Sequence, residues 1–277
     1  MHWGHKYEPI SILWYEYVYN TEVSDFGCIP HRTIDYIAAS PDGINTCSKS
    51  ERYGRMLEVK NIVNRDITGI PKSEYWIQMQ IQMEVCELNE CDFLETRFKE
   101  YETEEEFNDD GETFKKTKDN NHKGVILYFV KDGEALYEYP PFMCSKEEYD
   151  IWEEEKMIEH KNITWIKTLY WKLIEISCVL VLRNKSWFIG ARKVLDNIWE
   201  TIQEEKKTGY EHRAPKKRDK NKHLINTNTI IGANMCLIDT ENIGCINRKQ
   251  TSNKIIDHSK NKCIINIKTE TLSDTIC

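Results

Sequence analysis

Two short motifs constrain this chain more than anything else in it: Ser40-Pro41-Asp42-Gly43 and, further along, Leu57-Glu58-Val59-Lys60. The alternation over residues 55–60 reads as a strand, so Glu58 and Lys60 leave one face while Leu57 and Val59 leave the other. An acid and a base then point the same way. Ser-Pro-Asp-Gly reads as a turn, because Pro fixes φ and Gly is free to take positive φ, and it follows a strand-like stretch at residues 34–39. A hairpin between the two motifs would bring Asp42 beside Glu58.

Such a group suits phosphodiester cleavage, which needs an activated water and neutralisation of charge on the phosphate and the leaving oxygen. A hard cation such as Mg²⁺ takes oxygen ligands and retains waters, and Mn²⁺ can take its place. Asp42, Glu58 and the carbonyl of Val59 form a suitable donor set. Beside that cation Lys60 should have a lowered pKa, and it would orient or deprotonate the attacking water or stabilise transition-state charge. Each residue alone has a plainer reading: a turn aspartate that caps its own backbone, or a solvent-facing ion pair on an edge strand. Their combination favours catalysis.

Composition limits the alternatives. With 30% charged residues and a formal net charge of -8, the chain is no globally basic nucleic-acid binder, so any DNA contact must be local. Its ten cysteines are scattered without a CxxC pair, and no secretory signal opens the chain. This pattern predicts reduced thiols and an intracellular setting. The most apolar run, residues 173–182, is too short to span a bilayer and contains Glu175. It is read as a buried helix, and no membrane association is expected.

The order of elements predicts an α/β protein. A helix over residues 5–20, with Pro9 near its start, precedes strands at 22–29, 34–40 and 55–61. A helix follows over 73–84, with Tyr75, Gln78 and Gln82 on one side, and then a strand at 91–98. This suggests a central mixed sheet flanked by helices. Residues 100–119 read as an acidic solvated insertion, and 124–130 with 135–139 as a hairpin through Asp132-Gly133. Long helical runs are expected over 146–207, with Trp165, Trp171, Trp187 and Trp199 as packing anchors. The division is therefore a core at 1–140, a C-terminal helical extension at 141–207 and a flexible tail at 208–277, whose basic run at 213–222 could grip phosphates. Arg65 and Lys72, near the glutamine-bearing helix, are candidate phosphate contacts.

Trp3-Gly4-His5-Lys6-Tyr7-Glu8-Pro9, the two motifs above and Tyr75-Trp76-Ile77-Gln78-Met79-Gln80 occur in an order that resembles the YqaJ-type viral recombinase nucleases. These are relatives of phage lambda exonuclease within the PD-(D/E)XK superfamily. The resemblance covers about residues 3–98 and implies a restriction-endonuclease-like core. It also implies that Glu8 reaches the metal site and that Gln78 lies at the active site with Asp42, Glu58 and Lys60. Ser40, Tyr75 and Gln80 then join Arg65 and Lys72 as substrate-binding candidates. The implied activity is a Mg²⁺-dependent 5′ to 3′ exonuclease on linear double-stranded DNA, in viral or phage recombination and repair. A homo-oligomer, a single-strand annealing partner protein and a site of action in the host cytoplasm or nucleus are expected with it. The family's helical region ahead of the Trp-Gly element, which holds the terminal 5′ phosphate, is not expected in a sequence where Trp3-Gly4 follow Met1-His2. An endonuclease with the same metal site and a DNA-binding recombination protein without activity are therefore the alternative expectations.

Overall fold

In the computed structural model, which describes residues 2–215 and the short strands Ile256–Asp257 and Lys262–Cys263, the chain opens with helix α1 (His2–Tyr19). Pro9 lies inside this helix, not at its start. Burial of Tyr7, Ile10, Trp14 and Tyr15 against the sheet sustains the helix through the missing N–H. Strands β1 (Val23–Ser24), β2 (Ile29–Pro30), β3 (Ala38–Ala39) and β4 (Gly43–Asn45) are short, and β5 (Met56–Asn61) is the first long one. Helix α2 (Ser73–Val85) leads to β6 (Glu90–Glu100). Helix α3 (Glu104–Asp109), strands β7 (Lys123–Lys131) and β8 (Glu134–Glu138), helix α4 (Lys146–Glu159), strand β9 (Thr164–Leu182) and helix α5 (Lys185–Thr208) follow.

Seven strands form one sheet in the order β1-β4-β5-β6-β9-β7-β8, and β2 pairs with β3 apart from it. The β5–β6 pair is parallel and the other pairs are antiparallel, so the sheet is mixed and α2 is the crossover between its parallel strands. The sheet's period of two sorts the core. Leu57, Val59, Leu94 and Phe98 pack with Tyr7, Ile10, Trp14 and Tyr15 of α1. Met56, Cys91, Phe93 and Val181 pack with Met79 and Met83 of α2. The architecture is the expected mixed sheet flanked by helices.

Several local expectations are corrected. Residues 164–182 are a strand between β6 and β7, so 141–207 is no helical extension: two helices bracket a central strand of the sheet. Over residues 177–181 neighbouring side chains on both faces are buried or half-buried, and such a stretch reads as a continuous apolar run, which periodicity alone cannot separate from a buried helix. The β-branched and aromatic residues from Trp171 to Val181 favour the strand. Residues 100–119 are not wholly solvated either. Thr103 caps α3, Phe107 is fully buried, and the buried Lys123 ammonium donates to the carbonyls of Phe107 (2.6 Å) and Asp110 (2.8 Å). The strands expected at 22–29 and 34–40 shrink to two-residue pieces: Asp25 Oδ1 accepts from the Gly27 N–H and breaks the first, and His31 Nδ1 accepts from the N–H groups of Thr33 and Ile34 and closes a turn ahead of the second. Most of the expected tail, with most of the basic run at 213–222, lies outside the described residues.

Gly124 on β7 pairs with Trp171 on β9, and a Cβ there would stand 2.7 Å from Trp171 Cζ2. Gly124→Ala is expected to lower the unfolding free energy by about 1–3 kcal/mol through overpacking. Urea denaturation measures it, and an unchanged midpoint would show that the Trp171 ring can shift without loss.

Candidate active site

The hairpin expected from the sequence forms. Gly43 on β4 stands opposite Leu57 on β5, and the Val59 N–H donates to Asp42 Oδ2 at 2.7 Å. Gly43 does not use positive φ. It is needed because a Cβ there would lie 2.2 Å from Val23 Cγ1 on β1. In a strand the N–H and C=O of one residue leave the same edge, so the Val59 carbonyl is directed to the edge where its N–H meets Asp42.

Glu58 is 0% exposed. Its Oε1 accepts from Gln78 Nε2 at 2.7 Å and from the Lys60 ammonium, and its Oε2 accepts from Gln82 Nε2 at 2.9 Å. Gln78 and Gln82 are one turn apart on α2, so both amides reach the same carboxylate. A surface ion pair does not look like this: the acid lies in the interior with a donor on each oxygen.

The neighbouring charges act on one another. Burial first, and then the Glu58 carboxylate, push Asp42 up to about 7, against the Val59 N–H and Lys60. Burial also raises Glu8, where His5 and Lys60 pull down and Glu58 pushes up, so Glu8 shares the field of the same group. The expected lowering of Lys60 rested on a neighbouring cation. Among the protein's own groups, burial does lower it, but the Glu58 carboxylate and then Asp42 outweigh burial and hold Lys60 above its ordinary value.

Among the described residues no cluster of three or more His, Cys, Asp and Glu side chains is arranged as a metal cage. A site made of two carboxylates, a backbone carbonyl and waters would not form such a cluster. Two buried carboxylates, one of them raised toward neutrality by burial and then by the charge of the other, suit a hard divalent cation. Asp42, Glu58 and Val59 fit that donor set, with Glu8 within its electrostatic reach.

The remaining candidates divide. Tyr75 lies between two cations, with Lys60 Nζ 5.5 Å and the Arg65 guanidinium 5.4 Å from its ring centre, and Arg65 is paired with the buried Glu95. Lys72 is exposed at the start of α2, and Ser40 is exposed with its carbonyl 3.4 Å from Gln82 Nε2. Gln80 does not join the site. It is 1% exposed, donates to the Leu182 carbonyl at 3.0 Å and accepts from the Asn184 N–H at 2.5 Å, tying α2 to the junction of β9 and α5. Two residues along a helix point to nearly opposite sides, so Gln80 cannot share the face of Gln78 and Gln82.

Two further site residues were given no role from the sequence, although Gln82 was placed on the same helix side as Tyr75 and Gln78. Gln82 had a signal, its spacing of four from Gln78. Glu95 had none, because its place beside Lys60 depends on the parallel register of β5 and β6.

Residues 1–89 match the YqaJ-like viral recombinase domain. An uncharacterized protein of Acanthamoeba polyphaga mimivirus is 30% identical over 237 residues, covering 73% of this chain and 43% of its own length. The crystal structure of an alkaline exonuclease (LHK-Exo) from Laribacter hongkongensis is 31% identical, covering 34% of this chain and 47% of its own, with a TM-score of 0.30. The same enzyme in complex with dAMP is 31% identical over 33% of this chain and 46% of its own, with a TM-score of 0.29. The chain thus spans less than half the length of these relatives. No helix among the described residues is long and apolar enough to cross a membrane. The motifs at Glu8, Asp42, Glu58 and Lys60 all lie inside residues 1–89, the part of the chain similar to the YqaJ-like viral recombinase domain.

Proposed function

We propose that the chain is a metal-dependent deoxyribonuclease acting as a 5′ to 3′ exonuclease on linear double-stranded DNA, in viral recombination or repair. The observation that carries this reading is Glu58, a fully buried carboxylate held by Gln78, Gln82 and Lys60 beside the raised carboxyl of Asp42. Asp42, Glu58 and the Val59 carbonyl would hold Mg²⁺ or Mn²⁺, and Glu8, expected among the ligands, would act on the site through its charge. When bound, the cation supplies an activated water and neutralises charge on the phosphate. Lys60, kept charged by its two carboxylates, would donate to the water or to the phosphate oxygens. Tyr75 offers a ring to a base and Arg65 beside it a guanidinium to a phosphate, and Lys72 and Ser40 lie at the exposed approach. A homo-oligomer and a single-strand annealing partner protein belong to this reading. The mimivirus relative supports an infected host cell as its setting.

Matched linear and covalently closed duplex DNA, digested with Mg²⁺, test the proposal. Loss of only the linear form, with label released first from 5′ ends, is the expected result. Cutting of the closed circle would replace the exonuclease with an endonuclease at the same site. Binding without turnover in Mg²⁺ and Mn²⁺ would leave a DNA-binding role alone. Any binding through phosphates should weaken steeply with salt.

A further inference from the structure

The second glutamine on Glu58 is bound in a way that a merely structural residue would avoid. Gln82 is 5% exposed, and its Nε2 donates to Glu58 Oε2 at 2.9 Å while facing the Ser40 carbonyl at 3.4 Å. Its Oε1 is buried with no hydrogen-bond partner. Turning the amide over would not relieve that oxygen, because it would then face both the Glu58 carboxylate and the Ser40 carbonyl. The carboxylate dictates the orientation, and the orphaned oxygen is the consequence. An apolar side chain of similar size would remove the orphaned Oε1 together with the donor to Glu58 Oε2, so its two effects on metal-free stability oppose one another.

The two contacts of that single nitrogen join the two halves of the site. Ser40 is two residues before Asp42 in the turn, and Glu58 is on β5. Val59 N–H to Asp42 sets one link between turn and strand, and Gln82 sets the other from the α2 side. Gln78 and Lys60 both act on Glu58 Oε1, which leaves Gln82, among the described residues, as the donor to Oε2. A carboxylate with both oxygens anchored keeps lone pairs free for a cation while its plane stays fixed.

Resting on the nuclease reading above, we propose that Gln82 is a positioning residue that fixes the Glu58 plane relative to Asp42 and thereby sets the affinity of the site for a divalent cation. The test is Mn²⁺ titration calorimetry on the full chain without DNA, comparing wild type with Gln82→Met and, as a second apolar variant, Gln82→Leu. Thermal unfolding in EDTA runs beside it. Weakening of Mn²⁺ affinity by about 10-fold or more is expected, with metal-free unfolding temperature retained or raised. The Mg²⁺ midpoint of DNA hydrolysis should move by a similar factor. Equal Mn²⁺ affinity in wild type and both variants would overturn the role given to Gln82 and leave the nuclease reading standing. Loss of metal-free stability in both variants would overturn it too, showing a hydrogen bond that serves the core. A wild-type chain that takes up no Mn²⁺ would overturn the reading of the site as a whole.

Discussion

Asp42→Asn is expected to lower Mg²⁺-dependent DNA hydrolysis by on the order of a thousandfold while raising the stability of the metal-free chain at pH 8. The activity loss follows from removing a hard anionic oxygen from the proposed donor set. The stability gain follows from linkage. Burial and the Glu58 carboxylate push the Asp42 carboxyl up to about 7, well above its ordinary value. A carboxyl raised in the folded state contributes stability that is fully present below the unfolded pKa near 3.8 and is lost as pH rises through about 7. Asparagine keeps an acceptor for the Val59 N–H at 2.7 Å and carries no charge, so it escapes that loss. The gain in unfolding temperature, measured in EDTA, should therefore be larger at pH 8 than at pH 5. A variant that is inactive and also less stable at pH 8 would show that Asp42 is a structural turn residue. Glu58→Gln and Lys60→Met should lose hydrolysis as well, and retained activity in all three would sink the catalytic assignment.

The second large effect is on stability alone. Asp92→Ala is expected to destabilise the chain by about 3–5 kcal/mol. Asp92 is 1% exposed on β6, where its carboxylate accepts from Tyr15 Oη of α1 at 2.6 Å, from Arg55 Nη1 at 3.1 Å and from Arg52. Arg52 also lies 3.4 Å from the ring centre of Tyr19. Truncation would leave the Arg52 guanidinium and the Tyr15 phenol facing an empty acceptor position, while Arg55 would keep Glu90 at 2.8 Å. That penalty exceeds the net worth of the pairs themselves, because a buried charge left without its counter-ion keeps its full desolvation cost. Urea unfolding measures it, and a loss below about 1 kcal/mol would show that water replaces the carboxylate. Mn²⁺ uptake by the folded fraction should be unchanged. Asp92 meets α1, whereas Glu58 meets the glutamines of α2.

The local chemistry of the site was legible because it is written in short-range pattern. Pro41 and Gly43 mark the turn, the alternation at 55–60 marks the strand, and the four-residue spacing of Gln78 and Gln82 places both amides on one helix face. Residues so close in sequence have few relative arrangements, so residue type and spacing suffice to bring Asp42 beside Glu58. Gln80 was misplaced for a related reason. A Gln-x-Gln pair looks like one unit in sequence, but the two residues leave the helix on different sides.

What the sequence by itself determined is the acid, acid and lysine group on a hairpin, the helix that serves it and the mixed α/β class. Only the tertiary structure decided that residues 164–182 are a central strand, that Phe107 anchors the acidic segment, and that Glu95 stands beside Lys60. Each of these depends on which surface a segment meets from far along the chain. An apolar run carries the same information whether it is buried as helix or as strand, and a buried carboxylate is recognisable only once its partner is placed. The depth of Glu58 belongs to the same class: a strand beside it and a helix over it turned an ordinary ion-pair motif into a buried carboxylate held by three donors.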